Sequence, residues 1–215
     1  MIITIDGPAG SGKSTIAEIL SKKLGFIHFN SGSLYRAVAV FLKNSDMDFS
    51  KFNNNTVLPK LKLKVKYILG EMNVFVNKMN CTAHLRDNDI SIIAPTVSTN
   101  IYVRNVIDNY QRKFAKKNNI VVDGRDVGSH VFPNAEIKFY LDCSLKERAK
   151  RRQAEELLKG NKITLKALME QINARDEIDK NKTYAPLVVP KDAVIIDSTN
   201  LTINQVVENM LNFVR

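Results

Sequence analysis

Short apolar runs alternate with longer amphipathic stretches along the chain. Residues 2–5 (IITI) predict a strand, followed by a glycine-rich turn and a helix from about residue 13 to 24, where Ile16, Ile19, Leu20 and Leu24 recur at helical spacing. Residues 27–29 predict a short second strand and residues 34–42 a second helix. Residues 120–122, 137–141 and 194–196 complete five candidate strands, with helices over 149–158 and 203–213. This alternation predicts the α/β class, a parallel sheet with helices on both faces. Ligands of such sheets collect beyond the carboxyl ends of the strands.

Two regions break the rhythm. Between about residues 50 and 80, "LKLKVKYILGEMNVFVNKMN" alternates apolar and polar positions around Gly70 and Asn73, which predicts a small antiparallel hairpin or meander inserted into the α/β body. Residues 148–182 are rich in arginine, lysine and acids, and Gly160-Asn161 divides them into two helical pieces. A segment so charged and so weakly apolar suits a lid.

The chain has 215 residues, 44% hydrophobic and 25% charged, enough for one domain with insertions. A net charge of +10 suits nucleic acid, an acidic membrane surface or a small polyanionic substrate. Much of the excess is lysine scattered among asparagines, as in "FAKKNN" and "IDKNKT", a compositional bias more than a binding patch. Cys81 and Cys143 lie far apart and outside any metal-type cluster, which points to a reducing compartment. The N-terminal "MIITIDG" has no leader pattern, and no stretch has the eighteen or so unbroken apolar residues of a membrane span. A cytoplasmic protein without membrane partners is expected.

Residues 7–14 read "GPAGSGKS", with Gly7, Gly12, Lys13 and Ser14 at phosphate-loop spacing between a predicted strand and a predicted helix. Pro8, Ala9, Gly10, Ser11 and Thr15 complete the segment. Glycines here let backbone N–H groups approach phosphate oxygens, and the helix N-terminus adds positive potential. Lys13 is expected on the β/γ-phosphates, the Ser14 hydroxyl on Mg²⁺ and Thr15 on the α-phosphate side. ATPases, GTPases, helicases and kinases all fit. An N-K-x-D guanine-reading segment is missing, and the size suits a small-molecule kinase better than a nucleic-acid motor.

"FNSGSLYRAV" places Ser31, Tyr35 and Arg36 after the second strand. With a helix beginning near Ser33, Arg36 falls in its first turn, where a cation invites an anion. Further arginines stand at Arg104, Arg125 and Arg175, and convergent guanidiniums make a tight phosphate pocket. In "KERAKRRQAEELLKG", Arg148 and Arg152 share a helical face, either meeting the transferring phosphoryl group from a lid or pairing with Glu147, Glu155 and Glu156. In "IVVDGRDVGS", Asp123, Arg125 and Asp126 form either a local ion pair or a ligand site.

Together "TIDGPAGSGKST", "NSGSLYR", "VVDGRDVGS", "RDEIDKNK" and "APLVVPKDAVIIDST" resemble the bacterial cytidylate kinases, nucleoside monophosphate kinases of the P-loop fold. The resemblance implies transfer of the γ-phosphoryl of ATP to CMP or dCMP, with Mg²⁺; a monomer without a nucleic-acid partner is expected. It implies a five-stranded core (about 1–32, 111–147 and 183–215), a monophosphate-binding insertion (about 33–110) and a helical lid (about 148–182). Carried over by position, Arg36, Arg125 and Lys182 contact the acceptor phosphate, Arg104 and Asp126 the cytosine, and Arg175 and Asp179 the ribose. Asp123 is placed near the metal or as an orienter of Arg125. The chain departs from the family pattern at Asn30, Pro95 and Lys182, where aspartate, serine and arginine are usual, and at Ile178, often basic. An acceptor such as UMP, or a nucleic-acid-binding ATPase, are the rival readings.

Overall fold

The computed structural model describes residues 1–52 and 55–214; Asn53, Asn54 and Arg215 lie outside the described residues, the first two within the predicted hairpin region. In chain order the elements are β1 (Ile2–Asp6), α1 (Lys13–Leu24), β2 (Ile27–Asn30), α2 (Ser31–Lys43), β3 (Leu63–Ile68), β4 (Glu71–Val76), β5 (Met79–Asn80), α3 (Asn88–Val97), α4 (Ile101–Ala115), β6 (Ile120–Asp123), β7 (Ile137–Asp142), α5 (Leu145–Leu158), α6 (Leu165–Lys180), β8 (Val194–Asp197) and α7 (Ile203–Leu211). The chain divides into two compact units, residues 1–28 with 119–215, and residues 29–118.

The predicted five-stranded parallel sheet with helices on both faces has the order β2-β6-β1-β7-β8, and all of it but the end of β2 belongs to the first unit. β1 is the centre, with Ile3 beside Val121 of β6 and Ile137 of β7. Ile3 and Ile5 enter a core with Ile16, Ala17 and Leu20 of α1 and Val206, Val207 and Met210 of α7. The alternate residues Thr4 and Asp6 are buried as well, as expected of a parallel strand covered on both faces. Helix α1 ends at Gly25 in the left-handed conformation, and a Thr202–Gln205 capping box starts α7. Ser144 and Thr164 cap α5 and α6, which pack around Ala149, Leu168 and Ile172.

In the second unit β3, β4 and β5 form the expected antiparallel sheet. Its first turn is Leu69-Gly70, both at positive φ, the pairing of conformations that a two-residue hairpin demands. Asn73, read from sequence as part of the turn, instead stands in β4 opposite Lys66. Helix α2 starts at Ser31 because Asn30 Oδ1 accepts the Ser33 N–H at 2.8 Å. Arg36 therefore sits in the second turn, not the first, and the dipole argument for an anion there weakens. Helices α3 and α4 were not predicted. The buried face of α4 carries Arg104, Asp108 and Gln111, so its apolar periodicity is broken, and α3 contains Pro95.

Candidate active site

The strand-to-helix turn of residues 7–12 is a main-chain cradle. Gly7 is required by close approach: a Cβ there would lie 2.2 Å from the Leu141 carbonyl oxygen of β7. Lys13 folds back over the turn, donating to the Pro8 carbonyl at 2.6 Å and to Ser11 Oγ at 3.3 Å. Burial and the Arg125 charge hold its amino group well below its ordinary pKa, against the pull of Asp123 and Asp6. An incoming phosphate supplies the counter-charge that this buried ammonium needs.

Ser14, the first-turn hydroxyl of α1, donates to Asp123 Oδ2 at 2.6 Å. On the other side His28 Nε2 lies 2.7 Å from Asp123 Oδ1. Burial works to raise the Asp123 carboxyl, yet His28, the Ser14 hydroxyl and Lys13 outweigh it and hold the group below the usual carboxylate range. The hydroxyl and carboxylate are hard oxygen donors at the mouth of a phosphate cradle. Mg²⁺ takes few protein oxygens there, with substrate phosphates and waters completing its octahedron, so the donor set fits that ion.

Asp6, the residue before Gly7, holds the turn that carries Arg125 and Asp126. Its two carboxylate oxygens accept the N–H groups of Val127 at 2.9 Å and Gly128 at 2.7 Å, at the start of a single π-helical turn over Val127–Val131. Gly128 must be glycine because a Cβ would fall 2.6 Å from Thr4 Oγ1 and 3.1 Å from Asp6 Oδ2. Complete burial pushes the Asp6 carboxyl up to about 6, against the two N–H groups, Lys13 and Arg125. The folded protein thus holds that proton more tightly than the unfolded chain, and stability falls as pH rises through 6. Between pH 5 and 7 the wild type is expected to lose roughly 1 kcal/mol that Asp6→Asn does not lose. Urea unfolding of both proteins at the two pH values checks this; parallel pH trends count against a buried titrating Asp6.

The predicted phosphate- and ribose-binding groups of the first unit form one network. Arg125 Nε donates to Asp179 Oδ2 at 3.0 Å, and Lys182 Nζ to Asp179 Oδ1 at 2.7 Å. Burial would raise the Asp179 carboxyl, but Arg125, Lys182 and Arg175 hold it below its ordinary value. Arg175 is itself lowered by burial and by the Arg125 charge. A carboxylate shared by two cations holds both ready for an anion.

The arginines of α5 divide differently from expectation. Arg148 is buried, with Nε on the Cys143 carbonyl at 2.9 Å and Nη1 on the Ala9 carbonyl at 2.9 Å and on Asp176 Oδ2 at 2.5 Å. Asp176 Oδ1 in turn accepts the Ala9 N–H at 3.0 Å. Both main-chain groups of Ala9 are therefore gripped by the α5–α6 pair, making Arg148 a clamp on the phosphate cradle. Arg152 is half-exposed and pairs with Glu155 and Glu156, the alternative that sequence left open. Arg151, given no role from sequence, reaches the Ser11 carbonyl at 3.4 Å and the Ser198 carbonyl at 2.7 Å. Removing one partner of the buried pair, as in Asp176→Ala, is expected to cost about 3–5 kcal/mol of unfolding free energy. Denaturant titration checks it, and a loss below about 1 kcal/mol, the surface-pair range, contradicts the clamp.

In the second unit Arg104 is almost wholly buried. It donates to the Ser98 carbonyl at 3.1 Å and stacks over the Tyr35 ring at 5.5 Å. The Tyr35 hydroxyl lies 3.5 Å from Asp108 Oδ1. Ser98, one turn beyond Pro95, donates its hydroxyl to the Pro95 carbonyl at 2.7 Å. Ser31 opens α2 and is buried.

The sequence profile described as cytidylate kinase matches residues 3–215. The chain belongs to the cytidylate kinase family. The cytidylate kinase of Caldicellulosiruptor bescii is 39% identical over 210 residues, covering 97% of this chain and 93% of that protein. That of Thermosipho melanesiensis is 39% identical over 214 residues, covering 99% and 96%. Solved structures are similar in fold alone: an uncharacterized protein from Eubacterium ventriosum (TM-score 0.56, 14% identical, covering 100% and 98%) and the shikimate kinase of Bacteroides thetaiotaomicron (TM-score 0.51, 13% identical, covering 100% and 98%).

For this member of the cytidylate kinase family, sequence reasoning overlooked Asp6, His28, Asp108, Gln111 and Asp176. Gln111 is buried with neither amide atom hydrogen-bonded, a costly arrangement in a protein interior. One signal was available: Arg104, Asp108 and Gln111 recur at i, i+4 and i+7, a polar stripe where an ordinary amphipathic helix has an apolar one. Among the described residues no helix is long and apolar enough to cross a membrane, and both cysteines are unpaired.

Proposed function

We infer that the protein transfers the γ-phosphoryl of ATP to CMP or dCMP, giving ADP and CDP or dCDP. The observation that carries this reading is family membership over residues 3–215, together with the phosphate cradle and the Arg125–Asp179–Lys182 network beside the "DGRD" turn.

Phosphoryl transfer needs little covalent help and much positioning and charge neutralisation. The cradle N–H groups and Lys13 take the donor phosphates. Arg125, Lys182 and Arg36 take the acceptor phosphate, which is already ionised, so no general base is demanded. Ser31 and Tyr35 are assigned to the acceptor nucleotide as well. Arg175 and Asp179 serve the ribose. Arg104 and Asp126 read the base: cytosine offers an amino donor at N4 and acceptors at N3 and O2, complementing a carboxylate and a guanidinium. Ser14 and Asp123 would hold Mg²⁺, and the ion would supply charge neutralisation for the transferring phosphoryl group.

Pro95 removes a hydroxyl from the base pocket of the family pattern, and Ser98, joined to Arg104 through its carbonyl, is the group we assign to that side of the base. Lys182 keeps the charge of the usual arginine without its two-pronged fork. The reading is tested by product analysis: incubation with MgATP and CMP should yield one CDP per ADP. ADP formed without CDP, or formation stimulated by RNA or single-stranded DNA, contradicts it.

A further inference from the structure

We propose that His28 is a positioning residue for the divalent cation, fixing the Asp123 carboxylate so that its second oxygen faces the Ser14 hydroxyl. β2 lies next to β6 in the sheet, and this brings His28 of the edge strand against Asp123 at the end of β6. The contact is short, 2.7 Å between His28 Nε2 and Asp123 Oδ1. An ionised carboxylate only accepts, so Nε2 carries the proton and donates it.

Each Asp123 oxygen now has a distinct duty. Oδ1 takes the imidazole, and Oδ2 takes the Ser14 O–H at 2.6 Å. A hydroxyl that donates to Asp123 turns its lone pairs away from that carboxylate, leaving them to face a cation. Rotation of the Asp123 carboxylate would undo this, and the His28 bond resists that rotation. The Asp123 side chain is almost fully buried and the His28 side chain is 21% exposed, so the ring acts from the rim of the site inward. Losing an outer partner that orients a metal-binding group typically costs about tenfold or more in metal affinity.

The inference rests on reading the cradle as a metal–nucleotide site, and its test needs no acceptor. Mn²⁺ is titrated into the full-length enzyme with ADP, and unbound Mn²⁺ is read by its paramagnetic resonance signal. Wild type should hold Mn²⁺ more tightly than ADP does alone. His28→Leu should weaken Mn²⁺ about tenfold or more while leaving metal-free ADP affinity unchanged. His28→Gln, whose amide can still donate to Oδ1, should return close to wild type. Three outcomes overturn the proposal: unchanged Mn²⁺ affinity in His28→Leu, an equal loss of metal-free ADP binding, or a wild type that adds nothing to Mn²⁺–ADP affinity. A wild type that phosphorylates no CMP sinks the functional reading and leaves this result standing by itself.

Discussion

Replacing Lys13 by methionine is expected to lower kcat by roughly three orders of magnitude, because one preorganised cation at the transferring phosphoryl group is worth that much in a water-poor site. The structure makes this a clean experiment. Lys13 is buried, and burial holds its amino group well below its ordinary pKa, so the side chain costs the empty protein desolvation free energy. Methionine keeps most of the volume and removes the charge. It gives up the bonds to Pro8 and Ser11, a loss of about 1–2 kcal/mol by ordinary hydrogen-bond values. Stability should therefore change little while turnover collapses. Steady-state kinetics beside denaturant unfolding separates the two; a kcat within tenfold of wild type would remove Lys13 from the chemistry.

The second large effect concerns Asp126. Asp126→Ala should lower kcat/KM for CMP on the order of 10²-fold, the loss expected when a charged hydrogen bond to a substrate donor is removed from a buried site. ATP affinity should hold, because the cradle lies on another turn. The main chain at Asp126 is tied independently of its side chain: its carbonyl accepts from His130 and Val131, and Asp6 holds the next two N–H groups. Asp126→Asn sharpens the test. An amide offers a donor as well as an acceptor, so it tolerates the uracil carbonyl that a carboxylate rejects. The CMP-to-UMP ratio should narrow in Asp126→Asn. Equal losses of CMP turnover and ATP affinity in Asp126→Ala would make the residue structural.

The parts of the fold legible in the sequence are those governed by local rules. The apolar period of α1, the glycine-rich turn before it and the alternation of the strands each point to one answer, and the α1 boundaries agree with the expectation at both ends. The hairpin was legible as alternation around Gly70, where the turn falls, while Leu69 at positive φ breaks the residue preference from which turns are read and was not singled out. α4 was illegible because its buried face is occupied by Arg104, Asp108 and Gln111. The same divide runs through the site. Asp6, His28 and Asp176 were given no role from sequence, two of them inside quoted segments, because each acts by touching main chain or a carboxylate far away in sequence. Arg148 shows the converse: its i, i+4 relation to Arg152 was readable, while its grip on Ala9 needs the third dimension.

We propose that this chain reads cytosine on a nucleoside monophosphate. The most direct measurement is kcat/KM for CMP, dCMP, UMP and AMP under saturating MgATP, followed by coupled ADP release. CMP and dCMP should exceed UMP by at least about 10²-fold, since uracil sets a carbonyl oxygen against the Asp126 carboxylate and leaves a buried donor unpaired. A UMP value equal to that for CMP would contradict the base-reading roles of Arg104 and Asp126, and with them the account of what this site selects.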